Sequence, residues 1–206
     1  MRTVRALQCL LLAAVAAGGG SCSDSSGPSD GTKPPGDLTV VHVAANSTPL
    51  FNPSDSFYAV RGEDREVRIY FQDEAGGQGE EYLRLRVDAP TLLALPDGTP
   101  VAPADSVLIH VRVVDPSQML FDLEPSGLRF NPAVPARLKI HYDHADGDLN
   151  DDGVADGEDT AIESTLAIWR QEKPGDPFVR LSSVLSFELD EAEAELTGFS
   201  RYALAY

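Results

Sequence analysis

The chain has 206 residues, of which 33 are Asp or Glu and 16 are Lys or Arg, for a formal charge of −17. So acidic a surface repels a phosphate backbone and excludes nucleic acid as a partner. Two cysteines, one of them within the first ten residues, exclude a disulfide framework, so core packing has to hold the fold.

The first element in chain order is an export signal. Arg2 and Arg5 give a positive start, and Ala6 to Ala17 form an apolar run of twelve residues. That run is too short to span a bilayer as a helix, but it has the length of a secretory signal core. Gly18, Gly19, Gly20 and Ser21 supply small residues for cleavage, which makes residues 1–21 a signal peptide. Cys22 comes directly after, and Gly20-Ser21-Cys22 resembles a bacterial lipobox, with Gly19 standing where an aliphatic residue is usual. The resemblance implies lipidation of Cys22 and a stable membrane anchor, in the outer membrane if the envelope has two. Ordinary cleavage near Ser21, giving a periplasmic or extracellular protein, is the alternative. Loss of residues 1–21 leaves 14 basic and 33 acidic residues, a net charge of −19. Residues 22–36 are rich in Ser, Gly, Pro and Asp and are expected to be a flexible tether behind the anchored cysteine.

Residues 37–206 are long enough for one domain with a sizeable core. Short alternating runs recur through it. They are Leu38 to Val43, Glu66 to Phe71, Tyr82 to Val87, Val107 to Val113, Arg137 to Tyr142 and Thr165 to Arg170. Period-2 patterning broken by Pro, Gly and Asp turns predicts an all-β fold, an antiparallel β-sandwich with strands half buried. No long helical period occurs. Ala161 to Ser164 is expected to make one turn, and Glu191 to Glu195 is ambiguous.

One segment carries chemistry. Asp148 to Asp159 reads D-L-N-D-D-G-V-A-D-G-E-D. Asp148, Asn150 and Asp152 stand at positions 1, 3 and 5, Gly153 at 6, Val154 at 7, Asp156 at 9 and Asp159 at 12. This is the ligand spacing of an EF-hand-like calcium loop. A hard cation needs six to eight oxygens, and alternate side chains on a bent backbone supply them. Residues 146–160 are therefore expected to be a calcium-loop insertion between two neighbouring strands, Arg137 to Tyr142 and Leu166 to Arg170. The loop resembles those of dockerins and of the thrombospondin acidic repeats, which often close with Asp. The resemblance implies that Asp148, Asn150, Asp152 and Asp159 are side-chain ligands, that Val154 gives its carbonyl, and that Asp156 acts directly or through water. Ala155 departs from the β-branched residue that pairs two EF loops, and only one such repeat is present.

A second resemblance lies partly upstream of that loop and partly at the end of the chain. Leu123 to Ile140 looks like the P-x-G-x-x-F-x-x-P-x-x-L-x-I segment of the β-sandwich module of ankyrins and netrin receptors, the ZU-five type. Phe199-Ser200-Arg201-Tyr202 is similar to the F-S-x-Y strand of exported relatives. That resemblance implies a structural and interaction module without catalytic residues.

Other polar groups offer less. His42 and His110 fall in strands. The cluster His141-Tyr142-Asp143-His144-Ala145-Asp146 contains zinc-ligand types, but adjacent strand positions face opposite ways. The acidic run from Glu188 to Glu195 reads as a solvated turn and strand face, and Trp169 as core or rim. No nucleophile elbow, zincin motif or phosphate loop occurs. The expectation is thus a non-enzymatic, envelope-anchored calcium-binding sandwich with a structural or binding role. A hydrolase acting on envelope glycan or peptide, and a calcium-dependent docking module for a protein or glycan partner, are the alternatives.

Overall fold

A computed structural model describes residues 31–206. The signal peptide, Cys22 and most of the tether lie outside the described residues.

The alternating runs fold as antiparallel strands. In chain order these are β1 (Thr32–Lys33), β2 (Ser54–Val60), β3 (Arg65–Gln72), β4 (Gln78–Val87), β5 (Leu92–Ala94), β6 (Ser106–Val113) and β7 (Leu120–Glu124). Then come β8 (Arg129–Phe130), β9 (Ala136–His141), helix α1 (Gly157–Glu163), β10 (Ala167–Gln171), β11 (Phe178–Arg180), β12 (Ser183–Ser186), β13 (Glu191–Leu196) and β14 (Arg201–Ala205). A seven-stranded sheet has the order β1-β11-β10-β14-β7-β6-β2, and a five-stranded sheet the order β12-β13-β9-β4-β3. β5 and β8 form a small third ribbon. The fold is all-β, a sandwich of antiparallel sheets, as the patterning predicts.

Alternation decides which face each strand buries. In β6, Val107, Ile109, Val111 and Val113 point into the core while Leu108, His110 and Arg112 point out. In β9, Ala136, Leu138 and Ile140 are buried, and Arg137, Lys139 and His141 face outward. β13 answers with Ala192, Ala194 and Leu196 inside and Glu191, Glu193 and Glu195 outside. The outward rows pair by charge, with Lys139 Nζ 2.7 Å from Glu191; opposed cross-strand charges of this kind contribute a few tenths to about 1 kcal/mol. Thus the ambiguous acidic run is a strand, held to β9 along its whole length.

Between the sheets lies one continuous core. Tyr82 is fully buried because it is the extra residue of a bulge: Ile69 pairs with Leu83 but Tyr70 pairs with Glu81. Its ring meets Phe71 at 4.7 Å and Phe121 at 5.4 Å. Phe130 and Phe199 meet edge to face at 4.8 Å. Each such buried side chain contributes about 1.5–3 kcal/mol. β14 is covered on both faces. Tyr202 and Leu204 enter the main core, whereas Ala203 and Ala205 pack under a second cluster of Leu38, Ala167, Trp169 and Phe178. Trp169 is a core residue whose indole N–H donates to the Ala205 carbonyl at 3.0 Å.

The structure corrects three expectations. Arg137 to Tyr142 and Leu166 to Arg170 are not neighbours. β9 pairs with β4 and β13 in one sheet, β10 with β11 and β14 in the other, so the acidic segment crosses from sheet to sheet. Alternation is a property of each strand alone and does not specify its sheet. Next, Leu38 to Val43 makes single bridges to Ala205, Gln118 and Ala145 rather than a strand, because its hydrogen-bonding partner changes almost residue by residue. Finally, the fold begins before Asp37: Thr32 and Lys33 pair with Val179 and Phe178, and Lys33 Nζ sits 5.5 Å from the Trp169 ring.

Candidate metal centre

The chain leaves β9 and is first pinned at the N-terminal segment. The Ala44 N–H donates to the His144 carbonyl, and the Asp146 N–H donates to the His42 carbonyl at 2.8 Å. Beyond Asp146 the backbone curls tightly. Asp148 accepts N–H bonds from Asp152 at 3.1 Å and from Gly153 at 2.7 Å, one on each carboxylate oxygen. Asn150 Oδ1 also accepts from the Asp152 N–H, and Asp152 Oδ1 accepts from the Val154 N–H, both at 3.0 Å. This curl needs left-handed backbone at Gly153, φ 91°, which glycine adopts without penalty, and at Asp151, φ 59°, which Asp tolerates. Positions 1, 3 and 5 are thereby turned toward the inside of one bend.

Asp159 closes the ring. Its Oδ1 accepts from the Leu149 N–H at 2.8 Å and the Asn150 N–H at 3.2 Å, and its Oδ2 from the Asp156 N–H at 2.7 Å. The twelfth residue thus reaches back to the second and third. The Asp156 N–H leads, with those of Asn150 and Leu149, in holding the Asp159 carboxyl below its ordinary range, against the opposing cost of burial. Among the described residues Asp159 is the one buried carboxylate, 4% exposed. Asp156 has a different task. Its carboxylate accepts the Glu158 N–H and caps α1, forming with Asp159 a reciprocal capping box. The helix starts earlier than the expected turn at Ala161 because this cap fixes its first residues.

Does this donor set suit a calcium ion? A carboxylate oxygen that accepts one N–H keeps a second lone pair. Asp148 and Asp152 retain such pairs, as does Asp159 on Oδ2. The donors are all oxygen, as a hard cation requires. From Asp143 to Asp159 the segment contains no Lys or Arg to neutralise it. The loop's acids are spaced more widely than the one group of three His, Cys, Asp or Glu side chains among the described residues whose ligand atoms lie within 4.8 Å. Adjacent oxygens around a calcium ion lie closer than the roughly 4.6–5.2 Å that separates opposed ones, twice the metal–oxygen distance, so these side chains would have to draw together to hold the ion. Asp148, Asn150, Asp152 and Asp159 are brought to one bend. Val154 has an exposed side chain, and Asp156 caps the helix through Oδ1.

Beneath the loop lies a cavity of about 390 Å³, lined by Asp143, Asp146, Asp156, Asp159, Glu163 and Asp190 above an apolar floor that includes Val41 and Leu166. Tyr142 donates its hydroxyl to Glu163 across it at 3.3 Å, and burial raises the Tyr142 phenol well above its ordinary range with Glu163 adding to the effect. The Tyr206 hydroxyl donates to the Leu149 carbonyl. The loop is therefore tied to β9, to α1 and to the last residue of the sequence.

The histidines are distributed. His42 and His110 are both exposed, and His110 Nδ1 lies 2.7 Å from Ser56 Oγ. The cluster before the loop divides. His141 turns to Glu81 at 3.2 Å and Glu191 at 3.6 Å, whereas Asp143 and His144 meet Glu80. Glu80 has no signal in the local pattern, since it is supplied by β4, more than sixty residues upstream. No protein-family model, curated protein or solved structure matches this chain.

Proposed function

We propose that this chain is a calcium-binding β-sandwich, exported and lipid-anchored through Cys22 at the cell envelope, with a structural or binding role and no catalytic one. The observation that carries the calcium reading is the closure by Asp159. Its carboxylate folds back onto the start of the loop, while Gly153 and Asp151 bend Asp148, Asn150 and Asp152 to the same side. Calcium would be held by Asp148, Asn150, Asp152 and Asp159, with the Val154 carbonyl and water completing the sphere. There it supplies two positive charges and a rigid node to a crossover that joins the two sheets.

The energetics fit a structural ion. At a free concentration ten times the Kd, binding to the folded state alone adds about 1.4 kcal/mol. That is small beside the core but concentrated in one connection. Calcium titration of the protein should raise its melting temperature, and Asp148→Ala should remove the rise. Equal shifts in both proteins would place the ion elsewhere. Export and anchoring rest on residues 1–22 and are tested separately: Cys22→Ser should move the protein from the membrane fraction to the soluble one, and unchanged fractionation would contradict the anchor.

A further inference from the structure

We propose that Glu80, Asp143 and His144 form a second metal site, separate from the calcium loop and suited to a first-row transition ion of the zinc class. One ligand atom from each lies within 4.8 Å of the others. His144 Nε2 is 3.0 Å from Glu80 Oε2 and 3.8 Å from Asp143 Oδ2. Two distant parts of the chain converge here, β4 and the turn leaving β9.

The imidazole is held in place from outside the cluster. Its Nδ1 lies 2.7 Å from Ser47 Oγ, and its ring stacks on Phe71 with centroids 3.9 Å apart and planes 23° from parallel. The Ser47 hydroxyl donates to the Thr48 carbonyl at 3.3 Å, which leaves its lone pairs to accept the Nδ1 proton. In that tautomer the Nε2 lone pair faces the two carboxylates. Three electron-rich atoms then point at one place, and among the described residues neither carboxylate has a Lys or Arg within ion-pair distance. A cation resolves that crowding. An imidazole orients its metal-binding nitrogen in this way when its other nitrogen is hydrogen-bonded, as Ser47 does here.

The donor set selects the ion. One nitrogen and two carboxylates suit zinc and its neighbours, whereas calcium takes six to eight oxygens. Three protein ligands leave a position for water or an outside donor. Glu80 has a side chain 72% exposed, so an ion reaches the site without opening the fold. No residue is shared with the loop.

The test uses the protein with any free thiol alkylated, in saturating calcium, titrated with cobalt(II) and followed by visible absorption and calorimetry. One cobalt per chain is expected, displaced by zinc. His144→Gln and the exposed Glu80→Gln should each abolish uptake, Ser47→Ala should weaken it by roughly 10–100-fold, and Asp148→Ala should leave it unchanged. Undiminished uptake in both His144→Gln and Glu80→Gln would overturn the site, as would loss of uptake in Asp148→Ala. A wild-type protein that takes up no cobalt would overturn it too.

Discussion

Asp159 shows how much one side chain can settle. It closes the loop, completes the cap of α1, and is buried on three N–H donors. Its folded pKa is depressed, so the stability it contributes is present above the unfolded value of about 3.9 and is lost as pH falls through the folded one. Asp159→Asn removes that dependence. Urea midpoints measured from pH 5 downward should fall more steeply for the wild type than for the variant, and parallel acid limbs would contradict the assignment. The loop residues are legible in sequence because their geometry is local: six positions and a glycine within twelve residues specify the bend. Glu80 and Ser47 are not, because they reach His144 only after β4 and the segment before β2 have packed. The spacing gives Asp156 as a ligand acting directly or through water; that its carboxylate also caps α1 is set by the helix start and is not contained in the spacing.

At the scale of elements, the β3–β4 hairpin positions Glu80. Its bulge turns Tyr82 into the core, and Gly79 sits so close to the opposite backbone that an added Cβ would lie 2.8 Å from the Asp73 nitrogen and 2.9 Å from the Gln72 carbonyl carbon. Those are main-chain atoms and cannot swing aside. Gly79→Ala should cost about 1–3 kcal/mol, the usual penalty for overpacking, read as a lower urea midpoint. An unchanged midpoint would mean the hairpin end yields freely. Period-2 patterning identifies β3, β4, β6 and β9 with their buried faces, since alternation is what a half-buried strand requires. It finds β10, although that strand is buried on both faces, but it passes over β2, β7 and β14, and it reads as a strand Leu38 to Val43, which bridges to three separate partners.

For the whole molecule, the acidic crossover is the joint between two sheets. It leaves β9 in one and enters β10 in the other, and on the way it touches the N-terminal segment, α1 and Tyr206. An ion bound there would fasten both layers at one end of the sandwich. The alternating runs announce the two layers but not their connection, because strand pairing depends on contacts between distant segments. We propose that this joint is a calcium site. Equilibrium dialysis with radioactive calcium tests it most directly: one ion per chain is predicted for the wild type and none for Asp148→Ala, while no uptake by the wild type, or the same uptake by both, would contradict it.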